Sequence, residues 1–94
     1  MNKVDVHKNI CITLNNTYKA KNSDYGDSFS SLREEFPEAI LIRLTDKLNR
    51  LKTLMKGAEQ KVNDESIEDT LLDLANYAIM EVVERVVKSD EKHK

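Results

Sequence analysis

Apolar residues recur every three or four positions along most of this chain, the spacing of helices that bury one face. Val6, Ile10, Cys11, Leu14 and Tyr18 do so over residues 5–20, predicting a first helix with Asp5 as its N-cap, although the β-branched run ICIT works against it. A loop is expected over 22–28. SSLREEF, residues 30–36, reads as a short helix with a serine cap and acidic early turns. Pro37 punctuates and suits the first turn of a helix over 38–56, whose stripe is Ile40, Leu44, Leu48, Leu51 and Met55. Gly57, following Lys52 and Lys56, is placed to end it.

After a connector over 58–64, a last helix is expected from Ser66 to Lys88, opened by a Ser66–Asp69 capping box. Ile67, Leu71, Leu74, Ala75, Ala78, Val82 and Val86 cover one broad face, and Leu72, Ile79 and Val83 widen it. A helix so apolar in so short a chain needs more than one neighbour. The expected fold is therefore all-α: a small bundle of three to four helices in one domain over residues 1–94, completed by homo-oligomerisation, with a charged, frayed tail over 88–94.

Composition narrows the partners. The chain has 94 residues, with 15 Lys and Arg against 17 Asp and Glu. That near-balance argues against a protein that coats DNA or RNA, while leaving room for a local basic cluster that holds a small phosphorylated ligand. No run of 18 apolar residues and no secretory leader is visible, so a soluble, cytoplasmic protein with no membrane partner is expected. The lone Cys11 offers neither a disulfide framework nor a zinc pattern and reads as a small buried side chain. His7 reads as a surface histidine, and neither it nor His93 has a zinc-spaced partner. Phosphate-loop, dinucleotide and nucleophile-elbow motifs are absent.

Two polar stripes border the apolar faces. Arg43, Asp46, Lys47 and Arg50 lie on one line of the 38–56 helix, and Asp69, Asp73 and Asn76 on one line of the last helix. Paired antiparallel, the two helices would turn these stripes toward a shared cleft. One reading is a set of ion pairs between neighbouring helices, each contributing little. The other is a phosphate site. Arginine grips phosphate through a planar fork, and Mg²⁺ favours one or two carboxylates with phosphate oxygens, which makes Asp46, Asp69 and Asp73 candidate Mg²⁺ ligands. Asp69 and Asp73 repel one another one turn apart and need a cation to offset the cost.

KNSDYGDSF, IRLTDKLNRLKTL and VNDESIEDTLLDLANYAIM together resemble the nucleotide modification associated domain family, over about residues 19–84. That family is common in phages and their hosts and is tied to nucleotides mainly by gene context. DLANY is also similar to the end of the E-x-x-D motif of MazG-type nucleoside triphosphate pyrophosphohydrolases, which makes Asp73 its aspartate. Thr70 stands where that motif has glutamate, and Asp46 and Asn49 stand where the companion E-x-x-E motif would fall.

The likeness thus implies a nucleotide binder that captures or sequesters its ligand, with a host-cytoplasmic setting if phage-encoded. The alternatives are a Mg²⁺-dependent pyrophosphohydrolase and a helical interaction module. In the binding reading the loop over 22–28 acts as a lid. Gly26 turns the backbone with a positive φ, Ser23 and Ser28 reach phosphate or ribose, Tyr25 stacks on a base, and Asp24 or Asp27 bonds sugar or base. Arg43, Asp46, Lys47, Arg50, Asp69, Asp73, Asn76 and Tyr77 complete the expected ligand-binding set.

Overall fold

The computed structural model describes the backbone of residues 1–25, 27–57 and 60–92, and side chains over 1–23, 27–57 and 66–91. Four helices run through these residues: α1 Lys3–Tyr25, α2 Ser28–Glu35, α3 Ala39–Met55 and α4 Gln60–Lys92. No strand occurs among the described residues, so the fold is all-α as the periodicity requires. Nor is any described helix long and apolar enough to cross a membrane.

Several boundaries differ from expectation, each for a local reason. Asn2, not Asp5, caps α1: its Oδ1 accepts from the N–H of Val4 at 2.8 Å and of Asp5 at 3.4 Å. α1 then runs on through Tyr25, so most of the expected 22–28 loop is helix, because nothing before Gly26 breaks it. The N–H of Asp27 bonds back to the carbonyl of Asn22 at 3.3 Å, a closing bond that spans five residues. α2 starts at Ser28 with no acidic residue in its first turn and with Asp27, not a serine, at its N-cap.

Asp27 has φ 59° and ψ 45° and makes no side-chain cap bond. Left-handed backbone at a residue with a Cβ costs roughly 1–2 kcal/mol, least for Asn and Asp. Asp27→Val is therefore expected to lower stability by about 1–2 kcal/mol, whereas Asp27→Gly keeps or slightly raises it; thermal melts of the two variants check this.

Phe36 closes α2 by donating its N–H to Leu32 at 2.8 Å, and Gly57 follows α3 as foreseen, donating to Leu54 at 3.2 Å. α4 begins at Gln60, so residues 60–64 of the expected connector are helical, positions 58 and 59 lying outside the described residues, and the Ser66–Asp69 capping box does not open the helix. Ser66 lies inside the helix, and its carbonyl accepts from the Thr70 hydroxyl at 2.7 Å. α4 is also helical through Lys92, so the expected tail is largely part of it.

α3 and α4 form an antiparallel hairpin. Leu54 shares a cleft with Ser66, Lys47 meets Asp73, and Arg43 shares a cleft with Tyr77. The inward face of α3 carries Ile40, Leu44, Lys47, Leu51 and Leu54, while Leu48 and Met55 of the expected stripe turn outward. The buried apolar core is small: Leu14 from α1, Phe29 from α2, Ala39 and Ile40 from α3. α4 adds two buried polar side chains, Thr70 and Glu81. Burying one large apolar side chain stabilises by about 1.5–3 kcal/mol, so this core leaves much to polar contacts.

Among the described residues of α1, Leu14 alone is buried. Val6, Ile10 and Cys11, expected inside, are exposed. The Cys11 thiol sits 3.8 Å from Nδ1 of His7, one turn away on the same open surface.

Candidate functional site

Two clefts open along the α3–α4 hairpin and meet at the Lys47–Asp73 ion pair, 3.2 Å long. The first has a volume of about 530 Å³, within the range of small-molecule sites. α1 supplies Thr17, Tyr18, Lys21 and Asn22; α2 supplies Ser28, Phe29 and Leu32. Arg43 and Lys47 come from α3, and Asp73, Asn76, Tyr77 and Met80 from α4.

Aromatic rings form one part of this wall. Phe29 and Tyr77 are tilted at 48° with centroids 6.2 Å apart, a favourable geometry for an aromatic pair. Tyr18 adds a third ring, and its hydroxyl is pushed above the ordinary range by burial, then by the charges of Asp27 and Glu84, which keeps it a neutral hydrogen-bond donor. Among the described lining residues, Lys21, Arg43 and Lys47 supply positive charge and Asp73 the carboxylate. Asn76 is partly committed to structure: its Nδ2 donates to the carbonyl of Leu14 at 3.3 Å and ties α1 to α4.

The second cleft, about 580 Å³, lies toward the C-terminal end of α3. Asp46, Lys47, Asn49 and Arg50 face Ser66, Asp69, Thr70 and Asp73 across it. Among the described residues its three carboxylates outnumber its two cations, so the balance is opposite to that of the first cleft. Among the described residues no three His, Cys, Asp or Glu side chains gather into a metal-holding group. Asp73 is moreover engaged with Lys47. Asp46, Asp69 and Asp73, the expected Mg²⁺ ligands, thus line one cleft, with Asp73 held by Lys47.

Of the residues expected to bind ligand, Ser28, Arg43, Lys47, Asp73, Asn76 and Tyr77 line the first cleft. Asp46, Arg50 and Asp69 line the second, with Lys47 and Asp73 shared. The side chains of Asp24 and Tyr25, and Gly26 altogether, lie outside the described residues. Residues 22–25 of the expected lid belong to α1 and Ser28 opens α2, with Asn22 and Ser28 on the cleft wall. Asp27 has a positive φ, while the turn expected at Gly26 lies outside the described residues.

Sequence reasoning missed Thr17, Tyr18, Lys21 and Asn22 as cleft residues. Their i, i+1, i+4, i+5 spacing on one helix face, next to Leu14, was the available signal. It also missed the clamp beneath the aromatic wall. Arg33 of α2 donates from Nε to Oε1 of Glu81 at 2.8 Å and from Nη2 to Oε2 at 3.0 Å. Arg85 donates from Nε to the same Oε2 at 2.7 Å. The Arg33 hydrogen bonds, reinforced by Arg85, hold the Glu81 carboxyl down at about 2 despite its burial, and the same bond raises Arg33. This fork fastens α2 to α4 and so presses Phe29 toward Tyr77.

The family comparison matches residues 21–84 to the model of nucleotide modification associated domain 1. The chain belongs to that family, and membership gives it a nucleotide-related role. No curated protein and no solved structure matches the chain.

Proposed function

We propose that this member of the nucleotide modification associated domain 1 family binds a small phosphorylated nucleotide in the first cleft and holds it without turnover. The observation that carries the proposal is that one cleft, inside the matched region apart from Thr17 and Tyr18, joins an aromatic wall to a cationic edge. A base can lie against Tyr18, Phe29 and Tyr77, because each base has a π-face that stacks on aromatic rings. Arg43 offers its fork to phosphate, with Lys21 and Lys47 adding point charge. A phosphate oxygen competes with Asp73 for Lys47, so binding draws Lys47 from an ion pair that is half exposed at its carboxylate end.

The second cleft supports hydrolysis less well. Among the described residues its carboxylates are not gathered, and their charge outweighs that of Lys47 and Arg50, which disfavours a triphosphate. Binding without chemistry suits capture of a nucleotide signal, as in a phage protein that blunts host defence, or delivery of a nucleotide to a modifying enzyme.

A melting assay against a panel of linear and cyclic nucleotides, with and without Mg²⁺, tests this reading. A ligand at a hundred times its Kd stabilises the folded state by about 2.7 kcal/mol, which raises the melting temperature of a chain this short by roughly 10 °C or more. The expected result is such a shift with the nucleotide recovered intact. Released phosphate or pyrophosphate would replace the binder with an enzyme, and no shift at millimolar nucleotide would overturn both.

A further inference from the structure

The chain exposes more surface than a folded monomer of its mass should. Its accessible area is 7722 Å², whereas a monomer of 10.8 kDa is expected to show about 5,500 Å². Its radius of gyration is 15.5 Å, against about 12 Å for a compact chain of this length. The excess of about 2,200 Å² is what one subunit of an obligate homodimer buries. Among the described residues the buried apolar side chains are Leu14, Phe29, Ala39 and Ile40, which agrees with an unfinished core.

Besides Leu41, Ile42 and Met55 on α3, two helical segments present runs of open apolar side chains. In the first half of α1, Val4 is 75% exposed and Ile12 49%, with Val6 and Ile10 open between them. The end of α4 runs past the start of α3, and Val82, Val86 and Val87 stand 50% exposed or more. Leu71, Ala78 and Ile79 continue that open stripe back along α4. Isolated helical stretches of about eleven residues are marginal in water, so covering these faces would stabilise both segments. Charge does not oppose their pairing: Lys3 and Lys8 outnumber Asp5 on the α1 segment, while Glu84, Asp90 and Glu91 are balanced by Arg85, Lys88 and Lys92 at the end of α4.

We propose that a second copy of this chain covers these faces, with the first half of α1 of one copy lying against the open stripe and end of α4 of the other. Two-fold pairing covers both open apolar faces on both chains at once, because each copy offers one segment of each kind to the other. The pairing rests on area and exposure, and it stands or falls separately from the nucleotide reading.

Sedimentation equilibrium or native mass spectrometry without nucleotide tests it. The expected mass is a multiple of 10.8 kDa, with a melting temperature that rises with protein concentration. Ile10→Glu and Val82→Glu alter side chains that are 43% and 58% exposed in one chain, so a monomer would tolerate both. Here each should shift the mass toward 10.8 kDa and remove the concentration dependence. A wild-type mass of 10.8 kDa at about 100 μM, well above the Kd of a standard interface, would overturn the proposal. An assembly untouched by both substitutions would overturn this placement of the interface.

Discussion

Replacing Glu81 by alanine is expected to destabilise the fold by about 2–4 kcal/mol, a large fraction of what so small a core supplies. The carboxylate is buried and accepts three hydrogen bonds from two arginines. Its removal leaves Arg33, with a side chain only 19% exposed, holding an uncompensated charge. The Arg85 pair contributes less, because that side chain is 70% exposed and solvent screens it. Glu81→Gln retains shape and part of the hydrogen bonding and should lose less. Chemical denaturation of both variants separates the charge from the packing.

The same group sets an acid limit. The carboxyl of Glu81 titrates at about 2 in the folded chain instead of the ordinary 4.5. A depressed folded-state value means that the stabilisation is fully present above 4.5 and is lost as pH falls from there toward 2. Wild-type stability should therefore decline across this window by on the order of 2–3 kcal/mol more than that of Glu81→Gln. Parallel acid profiles would show that the fork contributes nothing.

Arg43→Ala and Arg50→Ala are expected to part company in nucleotide binding. Arg43 lines the aromatic cleft, while Arg50 lines the acidic one. Loss of a charge-assisted phosphate contact weakens binding by about 1.5–3 kcal/mol, or roughly 10- to 150-fold. Arg43→Ala should show that loss in calorimetric titration, and Arg50→Ala should stay within about threefold of the wild-type chain. Both side chains are exposed, so neither change should perturb folding. The reverse order would move the phosphate to the second cleft and revive a hydrolytic reading.

Glu81 also shows why part of the site was illegible beforehand. In the sequence it is one acid in an apolar stretch, and Arg33 lies 48 positions away. No periodicity links them; only the docking of α2 across α4 does. The polar stripes were a different matter. Arg43, Lys47, Asp73 and Asn76 fall on lines set by the 3.6-residue turn, so their cleft-facing placement followed once α3 and α4 paired antiparallel. Tyr18 and Lys21 were visible as helix residues but not as a cleft wall, because the place where α1 crosses α4 depends on Leu14 and Asn76 meeting at 3.3 Å.

The apolar repeats, the single proline and the well-placed Gly57 determined an all-helical chain with a strong α3–α4 pair and two polar edges able to face one another. Those features are local, and backbone hydrogen bonding with one-sided burial acts on them in any context. The tertiary structure alone decided which part of each apolar stripe turned inward, that Cys11 and the first half of α1 stand open, and that one ion pair divides the hollow in two. Those outcomes depend on how few large side chains are available to bury and on which helix reaches them first, and no spacing along the chain encodes that competition.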